Sequence, residues 1–203
     1  MSPSSTMRIG FASVYSWRPH VEHLIFLAQM VEKAGHEAHF LTCDADLDTC
    51  YTRELRGRPG WQECLQCRAG GIRSYTTRNV SSIGEMWKTS GADVPSAPIE
   101  WARSSASTLG RFESDTDYAR DEFQSRAEGL YPMVQTSYIA ARRWIESRRL
   151  DAVCVFNGRM DATRAIFEAA RSLGVRVVSV ERTWFGDGLQ LYPDEHCLGL
   201  QSL

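Results

Sequence analysis

Apolar positions along the chain fall into short continuous runs and longer stretches of helical spacing. "MRIGFASVY" (Met7–Tyr15) is nearly all apolar and reads as a buried strand. "HVEHLIFLAQMVEKAG" follows, with Val21, Leu24, Ile25, Ala28, Met30 and Val31 on one broad helical face. Pro19 suits a first turn and Gly35 a helix stop. "HEAHFLTC" is then a second strand. Strand, helix and strand within some thirty-five residues predict a βαβ unit, and hence a parallel sheet.

A second unit of the same kind lies near the other end. "DAVCVFN" predicts a strand, "DATRAIFEAARSLG" a helix and "VRVVSVE" another strand. Ala162, Ile166, Ala169 and Leu173 give that helix its buried face, and Asp161 is its expected N-cap. Between the units, Ile99 to Arg149 is helical in pattern, with Leu130, Val134, Tyr138, Ala141 and Ile145 forming one stripe. Pro132 is expected to kink or start that helix. From Asp44 to about Ser96 the period is lost, apart from a short helix expected around "SSIGEMWK". The pattern predicts an α/β fold: a Rossmann-like, doubly wound parallel sheet with a cysteine-bearing, irregular or helical insertion after the second strand, roughly residues 43–98.

Composition narrows the class. The 203 residues suffice for one domain, read as residues 7–203 behind a polar, disordered leader, Met1–Thr6. A chain this long buries a core without staples. The formal net charge of −2 and the absence of a basic run argue against a nucleic-acid partner. There is no signal-peptide core and no apolar run near the ~18 residues of a membrane span. The expected compartment is the cytoplasm, where disulfides are rare; a peripheral membrane contact stays open.

In open α/β sheets, ligands bind at the carboxyl ends of the strands. Four stretches qualify: "SWRPHVEH", the cysteine segment, "NGRMD" and "ERTWFGDG". In the first, His20 could act as a general base, with Glu22 setting its tautomer, or could be a surface or capping histidine. His36 and His39 read as structural. In the third, Asn157, Gly158 and Arg159 lead into a helix N-terminus, where Arg159 could grip a phosphate or carboxylate; a plain turn explains the same residues. In the last, Glu181 and Arg182 could bind a sugar or order the loop. Trp184 and Phe185 could stack on a sugar or close the domain edge, and Asp187 is the remaining carboxylate there.

Four of the six cysteines, Cys43, Cys50, Cys64 and Cys67, follow the second strand with spacing C-x6-C-x13-C-x2-C. Two residues between thiolates let both reach one ion, so a closed structural zinc site is expected, with an iron–sulfur cluster as the second choice. Free cysteine pairs or a redox C-x-x-C are the other readings. Cys154 reads as a core residue, and Cys197 is unassigned. No Ser-His-Asp order, HExxH, Walker A sequence or GxGxxG occurs, so a nicotinamide cofactor after the first strand is not expected.

Strand, loop, "AGHE" helix end and second strand, then "LTCD" with spaced cysteines and later "FNGR", resemble the N-terminal half of GT-B glycosyltransferases of the bacterial capsule and surface-polysaccharide type. The resemblance implies an acceptor-side domain that works with a C-terminal, donor-binding domain. That second domain is missing from this chain, whose "CLGLQSL" end looks like the start of an interdomain segment. It implies a nucleotide sugar as donor and a glycan or other hydroxyl acceptor. It implies that His20 stands where some inverting members keep their base, and that Arg159 and Glu181 line the acceptor side of the cleft. On this reading these residues alone transfer no sugar. The alternative is a non-catalytic, metal-stabilised binding module within an assembly complex.

Overall fold

A computed structural model describes residues 5–89, 94–183, 186 and 188–197. The chain runs β1 (Arg8–Ser13), α1 (His20–Lys33), β2 (Glu37–Thr42), α2 (Tyr51–Arg56), α3 (Gly60–Gly70), β3 (Val80–Ser82) and α4 (Ile83–Lys88). It continues through α5 (Arg103–Gly110), α6 (Asp115–Tyr118), α7 (Asp121–Arg148), β4 (Ala152–Phe156), α8 (Asp161–Ser172), β5 (Arg176–Arg182) and β6 (Leu189–Pro193). The strands form one sheet in the order β3-β2-β1-β4-β5-β6. All neighbours are parallel except β5 and β6. This is the Rossmann-like α/β sheet expected, with an antiparallel edge strand that a five-residue run did not announce.

Alternation along the strands assigns the two faces. Ala12, Leu41, Val153, Val155 and Val177 join one apolar core with α7 and α8, while Phe11, Ala38, Phe40 and Val180 join a second with Val21, Leu24 and Ala28 of α1. The sheet is therefore covered on both sides, as parallel sheets require. Gly10 permits the close approach of α7: a Cβ there would stand 2.5 Å from the ring of Trp144, which is fully buried. The expected stripe of α7 is buried throughout.

Three local expectations need correction. Residues 43–98 hold helices, among them α4 where a short one was expected, on a capping box of Ser82 and Glu85, but they are not an insertion outside the sheet, because β3 pairs with β2 (Phe40 opposite Val80). Three residues are too few to show strand alternation, although S-x-x-E was a legible start signal. Of the two roles expected of Pro132, starting a helix is excluded: it lies inside α7, on an exposed position where the carbonyl it leaves unpaired can meet water. Asp161 is not an N-cap but the first residue of α8, after Met160. The leader residues 1–4 and Trp184, Phe185 and Asp187 lie outside the described residues. No helix among those described is long and apolar enough to cross a membrane.

Candidate functional site

β1, β4 and β5 end side by side, and the turns leaving them carry most of the expected site residues. The sharpest is after β4, where Asn157 and Gly158 both take positive φ (64° and 72°). A Cβ on Gly158 would stand 2.5 Å from Ser179 Oγ, so glycine is required there on two counts. Asn157 organises the edge. Its Nδ2 donates to Glu181 Oε2 at 3.0 Å, and its Oδ1 accepts the Arg159 backbone N–H at 3.1 Å. Its own N–H donates to Val180 O, and its carbonyl accepts from Cys197 N–H. Arg159 then donates to Ser104 Oγ at 2.6 Å. Asn157 is thus committed to positioning Glu181 and Arg159, whereas the five-donor guanidinium of Arg159 is not used up by Ser104.

His20 opens α1 across from this turn, its ring 3.7 Å (centroid to centroid) from that of Phe156. Partial burial pulls its pKa below the ordinary histidine value, and Glu181 opposes that as the strongest nearby carboxylate. The expected partner, Glu22, is engaged elsewhere: it accepts from Tyr75 Oη at 2.6 Å and pairs with Arg18 at 3.1 Å. The structure therefore brings His20, Glu181, Asn157, Gly158 and Arg159 to one edge and turns Glu22 toward Tyr75. Arg182 is exposed, its N–H donating to Glu181 Oε1 at 2.9 Å.

The crevice between the ends of β1 and β4 is filled rather than open. Tyr15 stacks on Trp17 at 5.0 Å, and Trp17 meets Tyr51 and Phe156 edge-on. A cavity of about 10 Å³ remains, lined by Ser13, His20 and Thr163 among others. Pro19 precedes α1 in place of a glycine-rich loop and offers no N–H to a phosphate. Among the described residues, aromatic side chains fill this crevice and leave no cavity of nucleotide size within it.

A buried network beneath the crevice was not anticipated. Asp161 is fully buried, and its Oδ1 accepts from Tyr15 Oη and, at 2.7 Å, from Ala162 N–H. The Asp161 N–H donates to Ser105 Oγ at 2.9 Å, and the Tyr51 backbone N–H also reaches the carboxylate. Burial raises the Asp161 pKa to about 6, against these hydrogen bonds. The available signal was Tyr15 at the end of a strand that had to face helix α8. Through Tyr51, the first residue of α2, the network ties the cysteine segment to the crevice.

The cysteine segment lies next door, and Val14 lines both cavities. Cys43 directly follows β2, Cys50 precedes α2, and Cys64 and Cys67 share one face of α3. All four line a single cavity of about 30 Å³, together with Arg53, Glu63, Arg68 and the Arg73–Asp44 ion pair. Burial pushes the Cys43 thiol up and that of Cys50 to about 12. All six cysteines are free thiols. Among the described residues no three or more His, Cys, Asp or Glu side chains are already arranged to hold a metal ion. Cys154 points into the α1-side core, as expected, and Cys197 touches Arg159.

Fold and site together define a Rossmann-like α/β protein with a polar carboxyl edge and a thiol-lined neighbour. No protein-family model matches the chain, and no curated protein matches it.

Proposed function

We propose that this chain is the acceptor-side domain of a GT-B glycosyltransferase that moves a sugar from a nucleotide-sugar donor to a glycan hydroxyl in surface-polysaccharide assembly. The observation that carries the reading is the carboxyl edge itself: a histidine, a carboxylate and an arginine converge there, beside a crevice filled by aromatic side chains. A donor would then be held by a second domain across a cleft.

In the inverting form of the reaction, neutral His20 accepts the proton of the acceptor hydroxyl. The acceptor oxygen bonds the anomeric carbon as the bond to the nucleoside diphosphate breaks. Glu181 stabilises the imidazolium that forms, and Arg159 holds acceptor hydroxyls or an acidic group of the glycan. The depressed pKa of His20 keeps its imidazole neutral, and so able to accept a proton, at neutral pH.

The test is a titration of the 203-residue chain, followed by two-dimensional NMR, with a neutral oligosaccharide, an acidic oligosaccharide and nucleoside diphosphates. At least one oligosaccharide is expected to shift resonances around His20, Arg159 and Glu181, and Arg159→Ala to weaken that binding about tenfold or more, the loss of a charged hydrogen bond. Nucleoside diphosphate bound at this edge, or no oligosaccharide bound at all, would overturn the reading.

A further inference from the structure

The sugar-transfer reading leaves the four cysteines unused, and the helix that carries two of them poses a physical problem. α3 is eleven residues long, and Glu63 is its one buried residue. Its large apolar side chains, Trp61 and Leu65, face solvent at 68% and 62% exposure. A helix this short is marginal in water without an apolar face against a core. What α3 turns inward is Glu63, Cys64 and Cys67, toward the cavity that Cys43 and Cys50 line from the other side. The Glu63 carboxylate is bound by Arg56 at 2.8 Å, which links α3 to α2 but not to the sheet.

We propose that Cys43, Cys50, Cys64 and Cys67 bind one zinc ion, which fastens α3 to the end of β2. Four observations support this independently of the sugar-transfer reading. Four of the six cysteines open onto one cavity although they lie up to twenty-four residues apart in sequence. Cys43 and Cys50 follow β2 and precede α2, where Leu47 and Tyr51 already pack into the main core, while Cys64 and Cys67 lie on α3, so one ion would join to that core the helix whose large apolar side chains do not reach it. The cavity of about 30 Å³ is large enough for an ion. Finally, the surroundings suit the charge. Zinc with four thiolates carries a net −2. Glu63 and Asp44 already have Arg56 and Arg73, which leaves Arg53 and Arg68 on the cavity wall without a carboxylate partner among the described residues.

The four thiols line one cavity but are not gathered around one point, so binding requires them to be drawn together until each sulfur stands about 2.3 Å from the ion. Each thiol gives up its proton to solvent as its Zn–S bond forms, so four protons leave and no electrons move. The site is closed, with no open coordination position, and its role is structural. Its place on the rim, sharing Val14 with the crevice and holding Tyr51 against Asp161, makes it a support for the carboxyl edge.

The test is metal analysis of the whole chain purified under anaerobic, reducing conditions, followed by cobalt substitution. One zinc per chain is expected, and the cobalt form should show the intense visible bands of a four-thiolate tetrahedral site. Cys64→Ser and Cys43→Ser should each lose the ion, while Cys154→Ser keeps it. Because a serine variant could misfold, the wild-type chain is also titrated with a thiol reagent before and after a strong zinc chelator. Four additional thiols should become reactive after chelation. Metal-free protein, an iron–sulfur chromophore, a disulfide among the four, or unchanged thiol reactivity would each overturn the proposal.

Discussion

Helices α8 and α3 are nearly equal in length, twelve and eleven residues, and are held by opposite means. α8 buries eight residues, among them Ala162, Ala165, Ile166 and Ala169, between the sheet and α7. α3 buries one carboxylate and shows solvent its tryptophan and leucine. The first helix is fixed by hydrophobic burial and carries the turn that positions Asn157, Gly158 and Arg159. The second is tied to α2 by an ion pair and, on the zinc proposal, to the rest of the rim through its cysteines. A site that must hold its groups within a fraction of an ångström belongs on the first kind of support. The second kind suits a rim that is added to the fold and can be loaded or released.

Substitutions can break this comparison at several sizes of effect. Ile166→Ala, on the fully buried face of α8, is expected to cost about 2–5 kcal/mol, because it strips apolar atoms from the core and leaves a cavity in their place. Urea unfolding measures it, and a loss under about 1 kcal/mol would mean that α8 is not the anchor described here.

Asp161→Asn gives the next effect, and it depends on pH. The Asp161 pKa is raised from 3.8 to about 6 in the folded chain, so folding binds this proton more tightly than the unfolded chain does. Its contribution to stability is full below the unfolded pKa and is lost as pH rises through the folded one. Asparagine keeps an acceptor for Tyr15 and Ala162 but does not ionise. Between about pH 5 and pH 8 the variant is expected to gain about 1–2 kcal/mol relative to wild type. A pH-independent difference would contradict the burial of an ionising carboxyl at this point. Leu65→Ala on the outer face of α3 should change stability by no more than about 0.5 kcal/mol, despite the hydrophobic residue removed. A larger loss would show that this face is covered after all.

The same contrast explains what could be read from the sequence. The strands β1, β2, β4 and β5 and the helices α1, α7 and α8 were legible because each repeats an apolar period for long enough to be recognised. The helix stops at Gly35 and Gly174 were legible too, and both take the positive φ that favours glycine. β3 and β6 were not, being three and five residues long and set by their neighbours in the sheet. At the site, position was legible and pairing was not. The strand-end rule located His20, Asn157, Gly158, Arg159 and Glu181, but sequence proximity suggested Glu22 beside His20. The fold sends Glu22 to Tyr75 and gives His20 a carboxylate from 161 residues away, Glu181. Asp161 was taken for a cap because acidic residues before helices usually are; only the packing of Tyr15 and Ser105 around it shows its burial. Spacing grouped the four cysteines and the structure lines one cavity with them, but spacing alone did not reveal that the helix carrying two of them turns no large apolar side chain inward.

The most direct measurement is native-state hydrogen exchange on the zinc-loaded chain and on the same chain after chelation. The expected result is that amides of α3, residues 60–70, lose most of their protection on chelation, while those of β1, β4, β5 and α8 keep theirs. Equal protection of α3 in both states would contradict the claim that thiol ligation, not apolar packing, holds this segment to the rim.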